Sequence, residues 1–242
     1  MGLLGVLDQS AVEFCGESHC PRGADASACV PGGTAHAQSA PRPVLEAATP
    51  GEYLGDDEVI QASNRAVRAL ARTLRQRSGG DVEFAKTAFE WVRDQIGHSY
   101  DVVDPRVTVT AGEVLEQRVG LCYAKSHLLA ALLRAEGVPT GLCYQRLVHG
   151  DGHVLHGLVA IYLDGAWHRQ GPRGNKDGVD AQFSLNTERL AWQTDISQGE
   201  IDYLRVFAAP ARCGIETLSS ATDILTLYDV GLPTGLDARH LS

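Results

Sequence analysis

The sequence predicts an α+β domain in which N-terminal helices pack on an antiparallel sheet. Two observations predict it. Up to residue 136, apolar side chains recur at the three- and four-residue spacing of helices. From residue 140 the pattern changes to strand-like runs, separated by the hairpin signals Asp151-Gly152 and Asp164-Gly165. A block of helices followed by an antiparallel sheet is the arrangement of the α+β class.

The region before the first helix has a different composition. Residues 1–50 are rich in Gly, Ala, Ser and Pro and show no sustained periodicity, so we expect a flexible, low-complexity tail. Residues 51–242 then form one folded domain. Cys15, Cys20 and Cys29 lie in the tail, and their spacing matches no standard zinc pattern. We therefore predict no metal site, although a redox or metal-binding role for this tail stays a third alternative.

Four helices are predicted in the first half of the domain. The run from Ser78 to Asp81 stops one helix and caps the next. The residues from Gly137 to Pro139 end the last one, which begins near Cys122 and is apolar on all sides. The expected helices cover residues 57–77, 81–96, 110–117 and 122–136.

Three strands and a closing helix are predicted in the second half. The stretch 180–192 reads as irregular with a short helix. The expected strands are 140–148, 154–163 and 166–170, and the last helix covers 215–228.

Composition limits the classes of partner. The 242 residues carry a net charge of −9 and a pI near 5.4, which argues against nucleic acid and anionic membranes. No stretch reaches the ~18 apolar residues of a membrane span. The six cysteines do not have the spacing of a compact disulfide framework, and the N-terminus lacks the basic region of a signal peptide. We expect a cytoplasmic protein, whose oligomeric state the sequence leaves open.

Cys122 and His156 are the candidate catalytic residues. Cys122 follows a glycine-led turn and begins a helix, where the positive end of the helix dipole favours the thiolate. His156 lies on a later apolar strand. A thiol at a helix start that faces an imidazole on a strand is typical of a Cys–His pair, in which the histidine is the base for the nucleophile. A buried, inert cysteine and a core histidine are the alternative interpretation.

These residues belong to a longer set of motifs. The order is Gly-Leu-Cys-Tyr-Ala-Lys at 120–125, Arg-Ala-Glu-Gly-Val-Pro at 134–139, the His156 strand, and Tyr-Leu-Asp-Gly-Ala-Trp at 162–167. The chain resembles the transglutaminase-like superfamily, a circularly permuted branch of the papain-like fold, over residues 53–235. The resemblance implies a Cys–His–Asp triad that attacks a carboxamide or thioester carbonyl and forms an acyl-enzyme.

The resemblance places the nucleophile at Cys122 and the general base at His156, but the family aspartate falls on Gly171. Glycine cannot orient an imidazole or support its charge. Asn175, on the loop that follows, is a candidate orienter, because papain-like relatives use asparagine. Tyr100, together with His98 and Ser99, is a candidate oxyanion donor. Arg173 is expected to be a solvated charge unless it faces the cleft.

The predicted function is cysteine-dependent acyl transfer or amide hydrolysis by a bacterial-type thiol enzyme. Its substrate would be a peptide, amide or thioester, and no cofactor is implied. The single domain and the absence of an EF-hand-like Asp-rich loop argue against a calcium-regulated cross-linking enzyme. The alternative function is a catalytically degenerate binding module, in which Gly171 marks a lost triad.

Overall fold

The computed structural model describes residues 44–236, apart from the side chains of residues 228–230, and all of them belong to one unit. Most of the predicted tail, with its cysteines, lies outside the described residues. The described end of the predicted tail, residues 44–50, does not fit the predicted domain boundary at residue 51. Val44 and Leu45 form a strand, and Pro50–Leu54 forms a 3-10 helix, so ordered structure begins before residue 51.

Six α-helices and seven strands make up the described chain. The helices are α1 (Arg65–Arg75), α2 (Asp81–Gln95), α3 (Ala111–Gln117), α4 (Cys122–Ala135), α5 (Arg212–Ser220) and α6 (Ile224–Val230). The strands are β1 (Val44–Leu45), β2 (Gly97–His98), β3 (Val119–Gly120), β4 (Thr140–His149), β5 (Gly152–Leu163), β6 (Ala166–Gln170) and β7 (Ile201–Phe207).

Helix α4 is the central element of the helical layer. Every residue from Cys122 to Leu133 is buried, which agrees with its apolar sequence, because a helix hydrophobic on all sides belongs inside a core. It contacts α1, α2 and α3 on one side and β4 and β5 on the other. The N-terminal helices thus pack on the sheet as predicted.

The main sheet has the order β1-β7-β4-β5-β6 and is antiparallel except where β1 pairs with β7. The three predicted strands are present. Strand β7 was not predicted. It pairs with β4 across more than fifty residues of chain, and no hairpin turn signal precedes it in the sequence. A second, two-stranded sheet pairs β2 with β3 and sets His98 beside Gly120, two residues before α4.

Some predicted helix boundaries are wrong. The first helix begins at Arg65 rather than residue 57, because the Asp57 carboxylate accepts backbone N–H bonds in a turn and Asn64 caps the helix. The last predicted helix is two helices separated near Ala221, with Asp223 capping the second. The stretch 180–192 is irregular, but it contains no helix.

Candidate active site

Cys122 is the first residue of α4. Leu121 is the N-cap, and strand β3 ends immediately before it. Cys122 as a whole residue is 8% exposed, and its Sγ accepts a hydrogen bond from the Gly157 backbone N–H at 3.4 Å. The helix start predicted from the sequence is therefore the observed one, and the next strand of the site, β5, touches the sulfur directly.

Burial sets the protonation of this thiol. It raises the pKa of Cys122, against the opposing effects of the Gly157 N–H, the Arg173 charge and the backbone N–H groups of the first helical turn. The sequence argument expected a lowered pKa from the helix terminus. The terminus does act in that direction, but the loss of solvent outweighs it. The resting sulfur is a neutral thiol at pH 7.

His156 lies on β5 and is 6% exposed. Burial, and then the Arg173 charge, lower the pKa of His156 to about 3, so the imidazole is neutral at pH 7. Within residues 44–236, no hydrogen bond joins its ring to Cys122 or to any other group. The two predicted catalytic residues line the same cavity as an uncharged pair.

The cavity has a volume of about 300 Å³. Its lining combines the thiol and the imidazole with further polar and aromatic groups. The lining residues include Cys122, His156, Tyr100, His98, Arg173 and Trp192. A volume of this size holds a short side chain or a peptide-sized group at the sulfur.

An aromatic and cationic cluster surrounds His156. The Trp192 ring lies perpendicular to the imidazole, with centroids 5.0 Å apart and an interplanar angle of 88°. The Arg173 guanidinium stacks on Trp192, its Cζ 5.1 Å from the ring centroid. Arg173 is 2% exposed and forms a bidentate ion pair with Asp101, at 2.5 and 2.9 Å. Arg173 thus faces the cleft and is no solvated charge.

The two other predicted site residues have different positions. Tyr100 is 43% exposed and lines the cavity, so it can approach a substrate. Asn175 does not line the cavity. It is exposed, and its side-chain oxygen accepts the Ala181 backbone N–H at 2.8 Å. The prediction of Asn175 as an orienter is therefore corrected: the side chain holds its own loop.

Gly171 is buried and directly follows β6. Its φ is not in the left-handed region, and a Cβ there would meet only the Leu190 side chain, at 3.9 Å. The β5–β6 pairing ends at Val159 and Gln170, so Gly171 is the first residue beyond it. No carboxylate among the described residues forms a hydrogen bond with the imidazole.

Sequence reasoning missed Trp192, and it did not bring Arg173 into the site. Trp192 belongs to an irregular stretch without periodicity, so nothing in the sequence assigned it to the cavity. Arg173 lies three residues beyond the end of β6, outside the β5–β6 pairing, so no strand pattern assigned it to the cavity either. In residues 44–236 no group of His, Cys, Asp or Glu side chains could hold a metal ion. Among the described helices, none is both long and apolar enough to span a bilayer.

The sequence model of the transglutaminase-like superfamily matches residues 68–172. Over these residues the chain is similar to that superfamily. The matched segment runs from α1 to just beyond β6 and includes Cys122, His156 and Gly171. The resemblance inferred from the motifs is thereby confirmed, as is the α+β fold of this superfamily. No curated protein matches the sequence.

Solved structures of similar fold include two bacterial proteins. One is a candidate cysteine protease from Cytophaga hutchinsonii, with 16% identity and a TM-score of 0.44, covering 50% of this chain and 40% of the other. Another is the periplasmic domain of TgpA from Pseudomonas aeruginosa, with 21% identity and a TM-score of 0.38, covering 50% and 45%. The chain thus spans less than half of the length of either.

Proposed function

We propose that this protein is a thiol enzyme that forms an acyl-enzyme on Cys122 and transfers the acyl group to an amine or to water. The observation that carries the proposal is the joint presence of a helix-start cysteine and a neutral histidine in one cavity of a transglutaminase-like domain. The expected substrate is a peptide or another amide or thioester.

The protonation of the resting site suggests how the reaction begins. A neutral thiol is a weak nucleophile, so its proton must leave as Sγ attacks the carbonyl carbon. His156, neutral and a cavity neighbour, accepts that proton while the C–S bond forms and the carbonyl electrons move to oxygen. His156 then returns the proton to the leaving amine or thiolate as the tetrahedral species collapses to the acyl-enzyme.

The oxyanion requires donors close to the sulfur. The backbone N–H of Cys122 begins helix α4 and has no carbonyl of its own helix to bind. The Tyr100 hydroxyl, at the rim of the cavity, is the side-chain donor that we assign to the same oxygen. Water or an amine then attacks the acyl-enzyme, with His156 as its base, and regenerates the thiol.

The test uses p-nitrophenyl acetate, a small activated ester that reports acylation without knowledge of the natural substrate. We expect acetylation of Cys122, read by peptide mass spectrometry, with release of one p-nitrophenolate per acetyl group. His156→Ala should lower the rate at pH 7.5 by at least about tenfold, because general base catalysis contributes on that scale or more. Cys122→Ser should remove the adduct.

Cys213 is the internal control, since it is a partly exposed thiol outside the cavity. Its acetylation should be the same in all variants. If Cys122 reacts no faster than Cys213 and His156→Ala changes nothing, the proposal is wrong.

A binding module is the second candidate function. The specific observation in its favour is that no described carboxylate orients His156. This function predicts that peptide binding in the cavity survives Cys122→Ala, while the thiol stays unreactive toward the ester.

A further inference from the structure

His156 is held by aromatic contact rather than by a hydrogen bond. Its ring has no hydrogen-bonding partner in residues 44–236, yet it is 6% exposed and lies perpendicular to Trp192 at 5.0 Å. Perpendicular aromatic pairs at this separation attract, because the positive edge of one ring meets the negative face of the other. The contact therefore favours one orientation of the imidazole.

Trp192 in turn contacts a buried arginine. The Arg173 guanidinium stacks on its ring at 5.1 Å, which is a cation–π contact in a desolvated setting. The position of Arg173 is restrained, since both terminal nitrogens donate hydrogen bonds to the Asp101 carboxylate. Burial raises the pKa of Asp101, but hydrogen bonds from Arg173 and Lys176 together outweigh burial and lower the pKa to about 2. A charged anchor thus fixes the arginine, the arginine fixes the indole, and the indole contacts the imidazole.

The charge next to the imidazole has the opposite sign from that of an aspartate triad. A carboxylate at position 171 would stabilise the imidazolium, whereas Arg173 opposes it. Orientation of His156 through an ionic hydrogen bond is therefore not provided by the described residues. An uncharged contact to a fixed aromatic ring can provide it.

We propose that Trp192, held by Arg173 and Asp101, is the positioning residue that orients the His156 imidazole toward Cys122 in this protein. In the family, the aspartate has this task. The inference rests on the proposed function, because it assigns the orienter of the same base.

The test is a double-mutant cycle on the acetylation rate of Cys122 by p-nitrophenyl acetate. Trp192→Leu removes the aromatic ring, and Trp192→Phe keeps an aromatic face. Both are made in the wild-type and the His156→Ala backgrounds. We expect Trp192→Leu to lower the rate at least fivefold, and Trp192→Phe to restore most of it. In the His156→Ala background neither variant should change the rate by more than about twofold.

Trp91→Leu is the matched control. Trp91 is also a half-buried tryptophan with an arginine, Arg118, stacked on its ring at 4.7 Å, but it does not line the cavity. Its replacement should leave the acetylation rate within twofold. Asp101→Asn is a second, milder variant, which weakens the anchor of Arg173. It should lower the rate at least twofold, again only where His156 is present.

The outcomes separate the two proposals. If His156→Ala lowers the rate but Trp192→Leu and Asp101→Asn do not, the positioning role of Trp192 is overturned and the proposed function stands. An equal loss from Trp192→Leu with and without His156 also overturns it, because the tryptophan would then act on the fold alone. If His156→Ala itself has no effect, the proposed function fails and the inference fails with it.

Discussion

Gly171 stands where the resemblance places the aspartate of a Cys–His–Asp triad, so this chain has no triad carboxylate at that position. The backbone there is not left-handed, and the space at its Cβ position is open except for Leu190 at 3.9 Å. Gly171 is the first residue beyond the last β5–β6 pair, Val159 and Gln170. The local structure therefore leaves room for a Cβ without a backbone change.

We predict that Gly171→Asp raises the acetylation rate of Cys122 about tenfold. A carboxylate beside the imidazole raises the pKa of His156 and supports the imidazolium that forms during attack. The ester assay measures the acetylation rate, and NMR titration of the His156 ring measures its pKa. Gly171→Ala is the control, because it adds the same Cβ without the charge. Equal behaviour of the two variants would contradict the prediction.

At the scale of elements, the site depends on the close approach of α4 to β5. A Cβ on Gly157 would come within 3.0–3.3 Å of the Tyr123 ring, Cα and backbone nitrogen. Only glycine allows this approach, which brings the Gly157 N–H to the Cys122 sulfur. At the other end of α4, the Arg134 guanidinium donates to the carbonyls of Thr140, Gly55 and Ala208, so the helix is tied to the sheet at both ends.

Gly157→Ala is predicted to lower the free energy of unfolding by about 1–3 kcal/mol, the usual cost of overpacking a buried contact. It should also slow the acetylation of Cys122, since the helix start must move away from β5. Urea denaturation and the ester assay measure the two effects.

Gly152→Ala is the control on the same strand, because its Cβ would meet only the His149 carbonyl oxygen, at 4.0 Å. It should change the free energy of unfolding by less than about 0.5 kcal/mol, the usual limit for surface substitutions. If the two alanine variants are equally stable, the close approach at Gly157 does not constrain the fold.

At the scale of the whole molecule, several basic side chains are buried in the core. Burial lowers the pKa of His127 to about 4, although its Nδ1 lies 2.8 Å from the Val109 carbonyl oxygen. His156 has a pKa of about 3. Lys125, whose Nζ donates to the Ile96 and Arg93 carbonyls, has a pKa lowered to about 7. The unfolded chain binds protons at these groups more readily than the folded one.

The free energy of unfolding should therefore fall as the pH falls from about 6.5 to about 4. In this range the unfolded histidines take up protons while His127 and His156 stay neutral, so protons favour unfolding. In His127→Gln, the fall in the free energy of unfolding between pH 7 and pH 4 should be smaller than in the wild type by roughly 1–3 kcal/mol. Urea denaturation at several pH values measures it. His168→Gln, on half-buried β6, is the control, and equal pH dependence in both variants would contradict the prediction.

Much of the fold follows from local patterns in the sequence. The apolar run after Cys122 predicts a central helix, and the Asp-Gly turns predict β4, β5 and β6. Strand β7 does not follow, because its partner is remote along the chain. The first helix is shorter than its apolar pattern, because the Asp57 and Asn64 side chains satisfy backbone N–H groups before the helix begins.

The sequence by itself determined the helix start at Cys122, the strand that carries His156 and the resemblance to the superfamily, since these depend on residue order and local periodicity. Only the tertiary structure decided the protonation of the thiol, because burial outweighs the helix terminus. It also decided the neighbours of His156. Asn175 binds its own loop, while Trp192 contacts the imidazole, Arg173 stacks on Trp192 and Asp101 pairs with Arg173. Such contacts arise from chain folding over long sequence separations, which no local pattern encodes.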